Sequence, residues 1–286
     1  MKIVNSCPEM RDYSRSLQKN GSTVGFVPTM GALHEGHLSL LKIARRHCGR
    51  VVMSVFVNPA QFGPSEDFEK YPRQLEKDCE LAENAGCDCV FIPSPRDIYP
   101  ENYNTYVNVE NITGALCGAS RPGHFRGVAT VVLKLFNIVI PDTAVFGSKD
   151  AQQVIVIKRM VEDLNLPVRI IAAPTLREED GLAMSSRNAY LSAGERADAP
   201  LIYKGLTEAR ELYEGGERAG QSIKNCVVSI FNRSRLLKLE YVEVVDTTQL
   251  KPLDVINRPV LIAAACRTVE TGTRLIDNIV LGGDLD

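Results

Sequence analysis

Two histidines, His34 and His37, stand three residues apart in the segment "PTMGALHEGH" of this 286-residue chain. Gly31 and Gly36 in the same segment allow the backbone to approach a bulky anion closely. If the segment joins a strand to a helix, the free N–H groups at the helix start point at that anion. The histidines would then donate hydrogen bonds to charge that develops on a phosphate. A metal site and a surface or helix-capping role are the competing interpretations.

The metal interpretation is weakened by the spacing and by the shortage of further ligands. "HEGH" is not H-E-x-x-H, because its histidines are three residues apart and not four. The other two histidines, His47 and His124, lie in no recognisable ligand cluster. Among the eight cysteines, the close pair Cys87 and Cys89 has no second pair at zinc spacing. We therefore predict reduced, buried thiols and no metal site made by the protein.

A second candidate segment, "FGSKDAQQ" at residues 146–153, follows a predicted strand and precedes a predicted helix. Lys149 supplies a compact cation beside the turn, which suits a phosphate. Asp150 would serve equally well as a ligand or as the cap of the next helix. Gln153, one turn later, would either donate to a carboxylate or face solvent.

A third segment, "AMSSRNAYL" at residues 183–191, has the adjacent hydroxyls of Ser185 and Ser186 followed by Arg187. These residue types suit an oxyanion-binding loop, although the same triplet is common in ordinary turns.

A fourth segment, "FVNPAQF", ends a predicted strand with Asn58 and Gln61. Their uncharged amides suit the orientation of a small polar substrate, or the satisfaction of loop backbone. For His124 in "GHFRGV", packing and binding are evenly matched.

The elements that would position these segments follow from hydrophobic periodicity. Short β-branched runs alternate with helical patterns through the first part of the chain, which predicts a parallel sheet with helices on both faces, an α/β Rossmann-like fold. In such sheets ligands bind at the carboxyl ends of the strands. The predicted strands are "TVGFVPT", "RVVMSVFVN", "CDCVFIPS", "TAVFGSK" and "VRIIAAPT". The predicted helices are the segment after Gly36, "FEKYPRQLEKDCELAENAG", "GVATVVLKLFNIVIP" and "AQQVIVIKRMVEDLN".

The residue composition of the chain changes near residue 177, where a polar, turn-rich segment begins. Helical patterns at about 192–214 and 218–235 follow, and then three apolar runs, "LEYVEVVD", "RPVLIAAAC" and "RLIDNIVLG". Helices followed by clustered strands predict a small α+β domain. We therefore expect a larger domain at residues 1–176 and a smaller one at 177–286, with the polar segment as the hinge.

Composition and missing motifs exclude several classes of protein. A net charge of −2 with scattered Lys and Arg indicates neither a nucleic-acid-binding nor a membrane surface. The chain has no apolar run of about 18 residues and no signal-peptide core, so we expect a cytoplasmic location. No G-x-x-x-x-G-K-[ST] and no G-x-G-x-x-G follows a strand, which disfavours P-loop NTPases and nicotinamide dehydrogenases. Hydrolase chemistry has no G-x-S-x-G motif to support it.

Taken together, these segments resemble the AMP-forming pantoate–β-alanine ligase family, within the H-x-G-H nucleotidylyl transferase superfamily. The resemblance extends in order from the first strand to about residue 195. It rests on "PTMGALHEGHLSL", "VFVNPAQF", "DFEKYPR", "GHFRGVATVV", "FGSKDAQQ" and "MSSRNAYLS". It implies that ATP and pantoate form pantoyl adenylate and pyrophosphate, after which β-alanine displaces AMP to give pantothenate. It further implies Mg²⁺ that is carried with ATP, and a homodimer. The position of "MSSRN" in the hinge predicts that residues 177–286 close as a lid over the nucleotide- and pantoate-binding domain at 1–176.

The site residues that the resemblance implies fall into three groups. The catalytic residues would be His34, His37, Lys149 and Arg187, with His37 better described as an electrostatic stabiliser than as a proton donor. The nucleotide would contact Met30, Gly31, Ala32, Leu33, His34, Glu35, Gly36, His37, Gly147, Ser148, Lys149, Asp150, Leu176, Met184, Ser185, Ser186 and Arg187. Pantoate and β-alanine would contact Gln61, Gln153 and Asn58.

This chain departs from the family's usual pattern at two positions, and two alternatives stay open. Ser148 replaces the usual Glu or Gln, and Ala151 replaces an aromatic residue. Both replacements are small, so we expect a change in local packing and weaker nucleotide binding. Another H-x-G-H nucleotidyltransferase would need cationic side chains for a phosphorylated acceptor, whereas residues 56–62 offer amides. A non-catalytic nucleotide-binding protein would not need the whole set of histidines, lysine and arginine.

Overall fold

The computed structural model describes residues 1–64 and 66–285. Within these residues, six parallel strands form a central sheet. The strands are β1 (Lys2–Val4), β2 (Val24–Thr29), β3 (Arg50–Val55), β4 (Cys89–Phe91), β5 (Thr143–Gly147) and β6 (Arg169–Ala173). Their order across the sheet is β1-β4-β3-β2-β5-β6. The central strands read as nearly continuous apolar runs because helices cover both faces.

The helices are α1 (Cys7–Lys19), α2 (Glu35–His47), α3 (Leu75–Asn84), α4 (Pro95–Ile98), α5 (Leu116–Ser120), α6 (His124–Val139), α7 (Ala151–Asp163), α8 (Ala193–Asp198), α9 (Leu201–Glu214) and α10 (Gly220–Phe231). The helices up to α7 cover both faces of this sheet, as the periodicity predicts, whereas α9 and α10 pack with the C-terminal strands. Phe26 of β2 packs in the cluster that contains α1, α6 and α7 residues, while Val27 packs with α2 and α3. This alternation follows from the period of two in a strand.

Two predicted helices have the wrong extent. The helix predicted from residue 68 begins only at Leu75, and residues 68–74 form turns and irregular backbone. Pro72 accounts for this, because proline lacks an N–H and disfavours helical backbone in the residue before it. The helix predicted at 192–214 is divided into α8 and α9 at Pro200, because proline has no backbone N–H with which to continue the helical hydrogen bonds.

The described part of the C-terminal region contains an antiparallel sheet of three strands, β7 (Leu237–Asp246), β8 (Val260–Thr268) and β9 (Arg274–Leu281). Alternate residues of β8 face opposite ways. Val260 and Ile262 pack with α9 and α10, whereas Leu261 and Ala263 join the core of the large sheet. The predicted fold class is therefore confirmed, and the smaller sheet is packed between its own helices and the Rossmann-like part.

None of the helices in the described residues is long and apolar enough to cross a membrane.

Candidate active site

The loop between β2 and α2 has an unusual backbone that a buried carboxylate holds in place. Gly31 and Ala32 both have left-handed backbone, with φ of 83° and 52°. Asp78, only 1% exposed on α3, accepts hydrogen bonds from the N–H groups of Ala32 at 2.9 Å and Leu33 at 2.8 Å. Sequence reasoning missed Asp78, because its partners lie 45 and 46 residues away and its helix shows no local signal.

His34 and His37 cap the start of α2 reciprocally. His34 is the N-cap residue, and its Nδ1 accepts a hydrogen bond from the N–H of Gly36 at 3.1 Å. The N–H of His34 in turn donates to Nδ1 of His37 at 3.3 Å, and the two ring centroids are 4.1 Å apart. A Cβ on residue 36 would lie 2.8 Å from Cε1 of His34, so glycine is needed there. The structure therefore confirms that both histidines cap the helix. Each cap uses Nδ1, so the Nε2 atoms take no part in capping.

The hydrogen bonds of the two histidines determine their tautomers. Because Nδ1 accepts a backbone N–H in each ring, the proton of the neutral imidazole is on Nε2. Burial, followed by the neighbouring His34 and Lys149, lowers the pKa of His37 to about 3. Burial and Lys149 also lower the pKa of His34. At neutral pH both side chains are thus uncharged donors, held in place at a helix N-terminus.

A cavity of about 250 Å³ brings the four candidate segments together at the carboxyl ends of the strands. Predicted residues that line it are Met30, His34, Gly36, His37, Asn58, Gln61, Gly147, Lys149, Asp150, Gln153, Leu176, Met184, Ser185, Ser186 and Arg187. The predicted nucleotide residues Gly31, Ala32, Leu33, Glu35 and Ser148 are not among the lining residues. Ala32 and Leu33 are buried within the loop, and Glu35 is exposed on the first turn of α2.

Part of the lining of this cavity is apolar. The side chains there belong mainly to α6 and to the strand ends, and they are Phe56, Val128, Val131, Val132, Leu135 and Phe146. The amides of Gln61 and Gln153 line the same cavity. A ligand with a branched hydrocarbon part and a polar end would match such a lining.

The Lys149 turn is held by the C-terminal sheet. Residues Ser148–Asp150 form one turn of 3-10 helix between β5 and α7. Nδ2 of Asn278 on β9 donates to the carbonyl oxygens of Ser148 and Lys149, each at 2.9 Å. Asp150 occupies the N-cap position of α7, but within the described residues its side chain makes no capping hydrogen bond. Its carboxylate therefore belongs to the cavity rather than to the helix end.

Arg187 and Arg121 are both paired with acidic residues of the loop that precedes α3. The Arg187 guanidinium donates to both carboxylate oxygens of Asp67, and that of Arg121 to both oxygens of Glu66 at 2.6 Å. The hydroxyl of Tyr71 lies 3.5 Å from Oγ of Ser186. These contacts place the Ser-Ser-Arg loop over the cavity.

His124 has a binding-site environment as well as a packing role. Its Nδ1 lies 2.9 Å from the carbonyl oxygen of Gln61, and its Nε2 lies 3.1 Å from Nη1 of Arg121. Since a carbonyl only accepts and a guanidinium only donates, Nδ1 carries the proton. Burial, followed by Arg121, lowers the pKa of His124 to about 4. The residue also lines an adjoining cavity of about 980 Å³ that shares Lys149, Asp150 and Gln153.

No group of three or more His, Cys, Asp or Glu side chains within the described residues is arranged to hold a metal ion. All eight cysteines are free, and Cys87 and Cys89 are buried.

Comparison with known proteins adds an independent finding. A sequence model of the family described as pantoate-beta-alanine ligase matches residues 2–280. The chain is 53% identical to the pantothenate synthetase of Heliobacterium modesticaldum over 281 residues, covering 98% of this chain and 99% of that protein. It is also 53% identical to the pantothenate synthetase of a Thermoanaerobacter species over 285 residues, covering 100% of both.

Solved structures agree with these relatives. The pantothenate synthetase of Thermus thermophilus superposes with a TM-score of 0.92 at 44% identity, covering 98% of this chain and 99% of that chain. The pantoate-beta-alanine ligase of Francisella tularensis, complexed with beta-gamma ATP and beta-alanine, gives a TM-score of 0.79 at 35% identity and covers 100% of both chains.

Proposed function

The chain belongs to the pantoate–β-alanine ligase family, and from that membership we propose how its cavity performs the family's reaction. The activity is the ATP-dependent formation of pantothenate from pantoate and β-alanine. The observation that carries the proposal is the placement of two neutral histidines, Lys149 and two glutamine amides around one cavity.

In the first step, a carboxylate oxygen of pantoate forms a bond to the α-phosphorus of ATP, and the bond from that phosphorus to pyrophosphate breaks. The negative charge grows on the phosphate oxygens in the transition state. His34 and His37 would donate from Nε2 to these oxygens, and Lys149 and Arg187 would supply positive charge. Because hydrogen bonds at the start of α2 hold the two histidine rings in place before ATP arrives, these donors need little reorganisation during the reaction.

The apolar part of the cavity lining would take the dimethyl-substituted part of pantoate. Gln61 and Gln153 would donate hydrogen bonds to its carboxylate and hydroxyl oxygens, which explains why the polar residues here are uncharged amides. In the second step, the β-alanine amine forms a C–N bond to the acyl carbon, and AMP leaves with the electrons of the C–O bond. The amine releases its proton to water.

Mg²⁺ would enter with ATP, as the resemblance implies. Mg²⁺ usually binds through substrate phosphates, water and one or two carboxylates, so it does not need a cluster of protein ligands. The Asp150 carboxylate, which lines the cavity beside Lys149, fits this requirement. When bound, the ion would neutralise charge on the phosphates.

Residues 177–286 would act as a lid on the catalytic domain at 1–176. Support comes from the Ser-Ser-Arg loop, which lies in the C-terminal part yet lines the cavity beside His34 and His37. Arg177, at the start of this part, pairs with Asp277 on β9 through N–O distances of 2.6 and 3.0 Å. Small-angle scattering with and without an ATP analogue and pantoate tests closure; an unchanged profile would exclude it.

We also propose a cytoplasmic homodimer, for which the family resemblance is the support. Sedimentation equilibrium of the purified protein tests the dimer, and a single species of monomer mass would contradict it. Fractionation of the source cells tests the location.

The deciding experiment for the function is an assay of AMP formation in which ATP, pantoate and β-alanine are omitted in turn. We expect AMP only when all three are present, and pyrophosphate exchange into ATP that requires pantoate alone. Exchange that requires a phosphorylated acceptor would favour another H-x-G-H nucleotidyltransferase. Binding of ATP without turnover under any of these conditions would favour a non-catalytic protein.

A further inference from the structure

We propose that Tyr99 is a positioning residue for pantoate, because its hydroxyl fixes the amide of Asn58 and through it the amide of Gln61. The inference rests on the proposed function, since it assigns pantoate to the cavity that Gln61 lines. Tyr99 directly follows α4 and is not among the residues that line this cavity.

The Asn58 side chain is 1% exposed, and its amide is fully engaged by described residues. Its Oδ1 accepts from the Tyr99 hydroxyl at 2.8 Å and from the N–H of Ala60 at 3.3 Å. Its Nδ2 donates to the carbonyl of Gly127 at 3.2 Å and to Oε1 of Gln61 at 3.0 Å. Since a backbone N–H cannot accept and a carbonyl cannot donate, the amide has one orientation only.

The orientation of Asn58 determines that of Gln61. Because Nδ2 of Asn58 donates to Oε1, the opposite end of the Gln61 amide is its NH₂ group. This group lies 3.1 Å from Sδ of Met30, a weak acceptor, on the cavity side. It is therefore directed to donate to an acceptor oxygen of the substrate, such as a carboxylate oxygen. A reversed amide would present a carbonyl and repel that oxygen.

The backbone beneath Gln61 is also packed tightly. Helix α6 approaches the turn at Pro59–Gln61 so closely that a Cβ on Gly127 would lie 2.2 Å from the carbonyl oxygen of Ala60. Movement of the amides is thus limited to side-chain rotation, which the hydrogen bonds of Asn58 control.

Tyr99 makes the shortest of the four hydrogen bonds to Asn58. Its ring packs edge-on against Tyr103, with centroids 5.1 Å apart, and the Phe56 ring is 6.4 Å away. Burial raises the pKa of Tyr99, so its hydroxyl keeps its proton and remains a donor. Without this hydroxyl, Oδ1 of Asn58 would keep only the 3.3 Å contact with Ala60.

The test is Tyr99→Phe, with Tyr103→Phe as the matched control. Tyr103 touches the same ring, but its hydroxyl is not among the hydrogen-bond partners of Asn58 in the described residues. We expect Y99F to raise the KM for pantoate about three- to tenfold, as for the loss of one buried hydrogen bond. The KM for ATP and the melting temperature should stay close to wild type, and Y103F should resemble wild type throughout.

Calorimetric titration of pantoate into wild type, Y99F, Q61A and the double variant tests the route through Gln61. If Tyr99 acts through Gln61, the effect of Y99F on the Kd for pantoate should fall below about twofold in the Q61A background. Equal effects in both backgrounds would overturn the inference. So would an unchanged KM for pantoate in Y99F, an equal rise in the KM for ATP, or the same loss in Y103F. A wild-type protein that forms no AMP would instead refute the proposed function.

Discussion

The guanidinium of Arg187 forms two parallel hydrogen bonds with the carboxylate of Asp67, with N–O distances of 3.0 Å for both. The pair joins the loop before α3 to the Ser-Ser-Arg loop, across 120 residues of chain. A carboxylate in this geometry engages the same donors that a phosphate oxygen would engage. Binding of ATP through Arg187 therefore has to compete with Asp67.

Asp67→Asn should strengthen ATP binding. An asparagine removes the charge that competes for Arg187, and a partly exposed ion pair is worth up to about 1 kcal/mol, so we expect a two- to fivefold lower Kd. Calorimetric titration with a non-hydrolysable ATP analogue measures this. Glu69→Gln, an exposed carboxylate in the same loop, is the control and should leave the Kd unchanged. Weaker binding by D67N would show that Asp67 positions Arg187 instead.

His34→Ala and His37→Ala should each slow adenylate formation about a hundredfold, since each removes one pre-positioned donor to the developing charge. Pantoate-dependent pyrophosphate exchange measures this step without β-alanine. His47→Ala, at the exposed end of the same helix, controls for effects on α2 itself. Rates like wild type in both active-site variants would exclude the proposed role, provided that circular dichroism shows a folded protein.

Asp78→Asn should damage both stability and catalysis. The amide NH₂ would face one of the two backbone N–H groups that the carboxylate now satisfies, which costs about 1–3 kcal/mol. The loop that carries His34 would then shift, and we expect the rate of pyrophosphate exchange to fall about tenfold or more. Urea unfolding and the exchange assay measure the two effects. Glu76→Gln, exposed in the first turn of α3, should change neither; full activity in D78N would contradict the positioning role.

Stability should fall as the pH is lowered from 7 to 5, because His37 and His124 are buried in neutral form. Their folded pKa values of about 3 and about 4 lie below the ordinary value of 6.5, so the unfolded chain binds more protons across this range. Each buried neutral histidine makes its full contribution to the free energy of unfolding above pH 6.5. This free energy falls as the pH drops below 6.5, by about 2 kcal/mol per histidine at pH 5. His124→Gln should lose clearly less stability between pH 7 and 5, as measured by urea unfolding at both values. His47→Gln should follow wild type, and an H124Q slope equal to wild type would refute the assignment.

Local patterns in the sequence determined much of this protein. Alternating apolar runs and helical stripes predicted the α/β class, because burial on one or both faces imposes a period on the residues themselves. Because both segments lie between the end of a strand and the start of a helix, the sequence predicted that His34 and Lys149 share one edge of the sheet. The same reasoning failed at residues 68–74, where Pro72 outweighed an otherwise helical pattern.

The contacts that orient those residues were decided only by tertiary structure. Asp78 accepts a hydrogen bond from the His34 loop although 45 residues separate the partners in the sequence. The hydrogen bond from Tyr99 to Asn58 spans 41 residues, and the one from Asn278 to Lys149 spans 129 residues. Such pairs leave no periodic signal, because a single side chain at one position satisfies a donor or acceptor that the fold brings to it. Residue types and local spacing thus identified the chemistry of the cavity. The direction of each hydrogen bond in it depended on which distant elements the packed core placed side by side.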